Sequence, residues 1–174
     1  MNATTDLTDH DPSLFWGGLA ALGWLLLCGL PLARADVREH RLPDRWTARA
    51  GTGVALLLGA AAGRAGPEAA LGAGAGALAL ALWHLPGALT GHVGWGDVKL
   101  APSTGALLGW FGWPAVVAGC AATALLAACQ GAAALARGRL TVPSMRGPTR
   151  LPLGPAMLVG TALVAGVHLW TLAP

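Results

Sequence analysis

Charge is what this chain has least of. Asp, Glu, Lys and Arg make up 11% of its 174 residues, whereas soluble domains carry about 25%. That scarcity, with 55% hydrophobic residues in several long apolar stretches, excludes a water-soluble globular fold. Cysteine is scarce as well. Cys28, Cys120 and Cys129 all lie in apolar stretches and form no C-x-x-C pair, so neither a zinc ribbon nor a disulfide framework is indicated, and they read as small buried residues. There is no H-E-x-x-H and no G-x-S-x-G, the usual signatures of zinc proteases and serine hydrolases. Tyrosine is absent, and eight tryptophans carry the aromatic signal instead.

The chain opens with Asp6, Asp9 and Asp11 and has no Lys or Arg before its first apolar stretch, the reverse of a basic signal-peptide start. Ala33-Arg34-Ala35 has the small-x-small form of a cleavage site, but the segment before it reads as a retained membrane helix. Leu27 directly before Cys28 makes a poor lipid-attachment site.

Hydropathy predicts an all-α, polytopic membrane protein with six spans, at about 14–35, 47–63, 68–89, 98–111, 113–136 and 153–173. Residues 1–13 form a short extracytoplasmic tail in this reading, and 14–174 a single six-helix domain. The second and fourth spans are short, and Pro102 falls near the start of the fourth. Short or interrupted spans are tolerated where protein or a wet cavity covers the backbone. The Gly72-Ala73-Gly74-Ala75-Gly76 run lies in span three, where small residues let helix backbones approach closely. It is not a phosphate loop, since no Gly-Lys-Ser/Thr follows.

Basic residues predict orientation. Arg34, Arg38, Arg41, Arg45, Arg49, Lys99, Arg137, Arg139, Arg146 and Arg150 fall on one side, and only Arg64 on the other. The positive-inside rule makes the richer side cytoplasmic and puts both termini outside. Trp16, Trp110, Trp113 and Trp170 then reach the outer interface, with Trp46, Trp95 and Trp83 at or towards the inner one. Trp24 alone is mid-span. The arginines of the 137–152 loop read as contacts to anionic lipid.

Against this background two acids stand out. Asp36 closes the first apolar stretch and Asp97 opens the fourth, both at the cytoplasmic end. Acids beside membrane spans are costly and mark functional sites. Taken alone, Asp36 also suits an interfacial acid balancing nearby arginines, and Asp97 a partner for Lys99 or a helix cap. Brought together, two carboxylates cannot both ionise cheaply, so one keeps its proton. The ionised member can take a proton from water while the protonated member polarises a peptide carbonyl, with no nucleophilic side chain, metal or cofactor. Gly94 and Gly96 suggest close backbone approach beside Asp97, with Gly96 free to adopt conformations closed to other residues. The five histidines, His10, His40, His84, His92 and His168, are too scattered for a metal site and read as packing or hydrogen-bonding groups.

Gly94-Trp95-Gly96-Asp97-Val98-Lys99-Leu100 resembles the G-x-G-D-x-K-L signature of type IV prepilin peptidases and archaeal preflagellin peptidases. Asp36-Val37-Arg38-Glu39-His40-Arg41-Leu42-Pro43-Asp44 is similar to their other motif, an Asp followed by Leu or Ile, Pro, and Asn or Asp. Leu151-Pro152-Leu153-Gly154-Pro155 is similar to their Pro-x-Gly-Pro segment. The resemblance implies a six-helix GxGD-type aspartic endopeptidase of the cell membrane. Asp36 and Asp97 would be catalytic, with Gly94, Gly96, Lys99, Pro152, Gly154 and Pro155 as supporting residues. Lys99 would serve as an interfacial anchor, or tune the acids or bind the substrate backbone. Asp44 is not counted as catalytic.

The implied substrates are prepilin-like proteins of type IV pilus systems, cut at the cytoplasmic face after a short basic leader. Membrane lipids are the other expected partners, and nucleic acid is not one. Larger relatives carry a domain with two C-x-x-C pairs that accompanies N-methylation. The compact form seen here is expected to lack that methyltransferase activity. The alternatives are a proton-coupled transport protein and a non-catalytic pilus assembly factor.

Overall fold

The computed structural model describes residues 12–39, 43–91, 93–137 and 153–174. Among them are six α-helices and no strand: α1 Pro12–Glu39, α2 Asp44–Ala65, α3 Pro67–Leu89, α4 Trp95–Trp110, α5 Trp113–Ala136 and α6 Gly154–Leu172. Their boundaries follow local chemistry. Gly66 (φ 92°) and Gly112 (φ 99°) sit between consecutive helices in backbone conformations that side-chain-bearing residues resist. Pro67 and Pro114, each within the first two residues of the next helix, have the fixed φ that a helix start requires. Four helices, α1 (over Pro12–Asp36), α3, α5 and α6, are long and apolar enough to cross a membrane. Much of their apolar surface faces outward, with Leu71, Leu78, Leu125, Val167 and Trp170 all exposed. In water such a surface would be a liability; in lipid it is the outer wall.

Helices α1 and α2, and α3 and α4, run antiparallel, as the contacts of Gly17 with Ala61, of Gly53 with Trp24, of Gly72 with Gly109 and of Gly76 with Gly105 require. Trp110 at the close of α4 donates its Nε1–H to the Leu14 carbonyl at the start of α1, at 3.0 Å. The tightest packing joins α3 to α4. A Cβ on Gly72 or Gly76 would collide with the carbonyl oxygens of Gly109 and Gly105, and the converse holds for Gly105 and Gly109. Two facing small-x-x-x-small rows therefore bring the helices into backbone contact, as the glycine run in span three suggests. Gly74, between them, has nothing near its missing Cβ.

Helix α4 is the best covered of the six. Leu100, Ala101, Ser103, Thr104, Leu107, Leu108 and Trp110 are all buried, and α4 packs on each of the other five helices. The helix at the place of the expected fourth span, α4, is short, with 16 residues. It is not interrupted, because the helix continues through Pro102. Burial in protein makes a short helix with a missing N–H tolerable. Span two is longer than hydropathy suggests, at 22 residues; Arg45, Arg49 and Arg64 near its ends mask it from a hydropathy criterion.

One tryptophan departs from the belt expected of it. Trp110 is 2% exposed and belongs to the core. Trp24, the mid-span exception, lies across α2, where its Nε1–H donates to the Arg49 carbonyl at 3.0 Å over the space left by Gly53. An indole that is mid-membrane must bond its N–H internally, and the absent side chain at Gly53 lets it reach a backbone oxygen.

Candidate active site

Asp36 is in the last turn of α1 and Asp97 in the first turn of α4. Both carboxylates are buried, at 5% and 4% exposure. Two acids 61 positions apart in sequence are thus buried at the same end of the bundle, where α1 ends and α4 and α6 begin.

Each acid is held by a glycine. Asp36 Oδ2 accepts the backbone N–H of Gly154 at 3.1 Å. Gly154 is the first residue of α6, where helix N–H groups lack internal partners and the macrodipole favours negative charge. A Cβ at Gly154 would stand 2.8 Å from the same oxygen, so the carboxylate fits only against a bare backbone. Pro155 follows within the first turn and presets its backbone for the helix. Pro152 lies outside the described residues.

Gly94 caps α4 in an extended conformation (φ −71°, ψ 140°), and its carbonyl accepts the Asp97 N–H at 3.0 Å. Asp97 Oδ2 folds back over Gly94, where an added Cβ would lie 3.2 Å away. Asp97 Oδ1 is buried and has no hydrogen-bond partner among the described residues. A buried carboxylate oxygen without a partner is costly. Gly96 plays a different part from the one expected. It is the second residue of α4 and is not among the glycines of positive φ, which are Gly66, Gly91 and Gly112, so its conformational freedom is not drawn upon.

Lys99 is not paired with Asp97, the alternative considered for that acid. Its Nζ donates to Asp44 Oδ1 at 2.6 Å. Residues two apart on a helix do not share a face, so Lys99 leaves Asp97 and reaches the first residue of α2. The ion pair of Asp44 is the contact least visible in sequence. The place of Asp44 at the end of the Asp36 motif was the one available signal, and nothing in that motif alone names Lys99 as its partner.

The remaining polar groups have ordinary structural roles. His84 Nδ1 is 2.9 Å from the Leu80 carbonyl, and His168 stacks on Phe111 with ring centroids 5.4 Å apart. Ser103 and Thr104 return their hydroxyls to the carbonyls of Leu100 and Ala101 within α4. Among the described residues no group of three or more His, Cys, Asp or Glu is gathered as a metal-ligand set. Between α3, α4, α5 and α6 is a cavity of about 210 Å³, lined by Leu80, Thr104, Leu108, Cys120, Met157 and others. Its lining includes Val93 and Leu153, the immediate neighbours of Gly94 and Gly154.

No curated protein and no solved structure shows significant similarity to the chain. The model of the type IV leader peptidase family matches residues 15–135, more than half of the 174. Asp36, Asp44, Asp97 and Lys99 all fall within that match, and so does the whole of the α3–α4 glycine interface. The chain belongs to the type IV leader peptidase family.

Proposed function

We propose that this chain is a six-span membrane aspartic endopeptidase that removes the short basic leader of prepilin-like proteins, with Asp36 and Asp97 as its catalytic pair. The observation that carries this reading is the burial of both carboxylates at the same end of the bundle. Family membership supports a protease of leader peptides. The pair supplies the acid–base chemistry that such a protease needs.

Asp36 is suited to carry the negative charge, because its Oδ2 already accepts the Gly154 N–H at the start of α6. Asp97 is suited to carry the shared proton. Asp36 removes a proton from a water molecule as the water oxygen attacks the carbonyl carbon of the scissile peptide. Asp97 donates its proton to the carbonyl oxygen, giving a neutral tetrahedral intermediate. The proton held by Asp36 then passes to the leaving nitrogen, the C–N bond breaks, and the hydroxyl proton returns to Asp97. Every atom and charge is restored, and no covalent enzyme intermediate forms.

The basic residues at the end of α1, at the start of α2 and in the 137–152 segment of the sequence support a cytoplasmic position for this end of the bundle, with both termini outside and the arginines against anionic lipid. Helix α4, packed on all the other helices, and α2, which buries one side at Thr47, Ala50, Val54 and Leu58 and exposes Leu56 on the other, complete six spans. The reading has one domain over 14–174 and no N-methylation of the product. It is tested by co-expressing the chain with a prepilin-like protein and measuring the substrate's mass. A loss equal to the leader, with an unmodified new N-terminus, is expected. An intact substrate beside correctly inserted enzyme would overturn the reading, and a methylated product would overturn the last part of it.

A further inference from the structure

The 2.6 Å ion pair between Lys99 and Asp44 joins the two acid-bearing segments at a second point. Asp44 is the first residue of α2, eight positions after Asp36. Lys99 is in the first turns of α4, two positions after Asp97. The backbone at Asp44 is itself fixed. Its carbonyl accepts the hydroxyl of buried Thr47 at 3.0 Å, and the Pro43 carbonyl before it accepts the N–H groups of Trp46 and Thr47. A negative side chain at a helix N-terminus is also favoured by the helix dipole. Lys99 therefore bonds an exposed side chain whose backbone is held by the hydrogen-bonded first turn of α2.

We infer that Lys99 and Asp44 act as a positioning clasp for the catalytic pair. This rests on the reading of Asp36 and Asp97 as that pair. Gly154 fixes Asp36 to α6, and the Lys99–Asp44 pair fixes the start of α4, carrying Asp97, to the start of α2. Without the clasp, α4 is still held along its length by the glycine contacts with α3, but its first turn is free to move relative to the end of α1. Acid–base transfer depends on sub-ångström placement, so loosening of this turn acts on the chemical step. Lys99 and Asp44 touch neither water nor substrate in this account and are not catalytic residues.

Exposure limits the size of the effect. The Lys99 and Asp44 side chains are 49% and 77% exposed, so solvent screens the pair. Loss of the clasp should lower kcat by about twofold to fivefold, without a change in KM. The test compares purified wild type, Lys99→Met, Asp44→Ala and the double variant, with Asp36→Asn and Asp97→Asn in the same leader-cleavage assay. If the two residues work as a pair, the double variant is no slower than the slower single one. Lys99→Arg with Asp44→Glu, which keeps both charges, should recover most of the lost rate. Losses that multiply in the double variant, an effect confined to KM, or single variants as fast as wild type would each overturn the clasp. If Asp36→Asn or Asp97→Asn still cleaves, the catalytic assignment itself falls and takes the clasp with it. If both are dead and Lys99→Met is unimpaired, only the clasp falls.

Discussion

Two glycines set the chemistry of the acids they touch. Gly154 offers Asp36 both a bare surface and an N–H, and only the first is lost on adding a methyl group. In Gly154→Ala the new Cβ would displace Asp36 Oδ2 and lengthen a charge-assisted hydrogen bond, of the kind worth about 1.5–3 kcal/mol. Leader cleavage should fall by about tenfold or more, while the protein still inserts and is recovered from membranes in normal amount. Unimpaired cleavage by Gly154→Ala would mean that this contact does not hold the acid. Gly154 and Asp36 were legible in sequence as separate motif positions. Their bond was not, because it spans 118 residues and depends on where α6 begins. The Lys99–Asp44 pair was hidden for the same reason: Lys99 lies beside Asp97 in sequence and points away from it on the helix.

At the scale of the element, α4 carries Asp97 and owes its position to backbone contact with α3. Replacing Gly105 by Val would force a branched side chain into the Gly76 carbonyl, and overpacking of this kind costs about 1–3 kcal/mol. Gly105→Val should lower the apparent Tm in detergent and reduce cleavage, whereas Gly74→Ala, with open space around its Cβ, should do neither. Equal behaviour of the two variants would remove the glycine interface from the account. The apolar stretches and the Gly72–Gly76 run were enough to anticipate six helices and a close approach. Hydropathy marked the fourth stretch as short, but could not show which of its residues the other helices would enclose, since that depends on packing. For this reason Trp110, at the end of the enclosed helix, was expected at the interface and lies in the core instead.

For the whole molecule, the central question is which end of the bundle faces the cytoplasm. The end holding Asp36, Asp97, Asp44 and Gly154 also holds Arg34, Arg45 and Lys99, whereas Arg64 is near the opposite end. Single cysteines placed in an otherwise cysteine-free chain at Glu68 and at Thr90 should therefore differ in intact cells. A membrane-impermeant maleimide should label Glu68→Cys, while Thr90→Cys should react only after the membrane is opened. Reversed labelling would put the acids on the outer face. Helix number and order could be read from the chain because apolar run length is a local property. The burial of Asp36 and Asp97 at the same end of the bundle is a product of packing, and the two motifs gave no more than the expectation of it.

The most direct test is cleavage of a prepilin-like substrate by wild type, Asp36→Asn and Asp97→Asn, compared at equal amounts of membrane-inserted enzyme. Each substitution keeps the side chain's size and removes its capacity to exchange a proton. Wild type should release the leader, and both variants should leave the substrate intact. Leader release at the wild-type rate by either variant would contradict the two-aspartate mechanism.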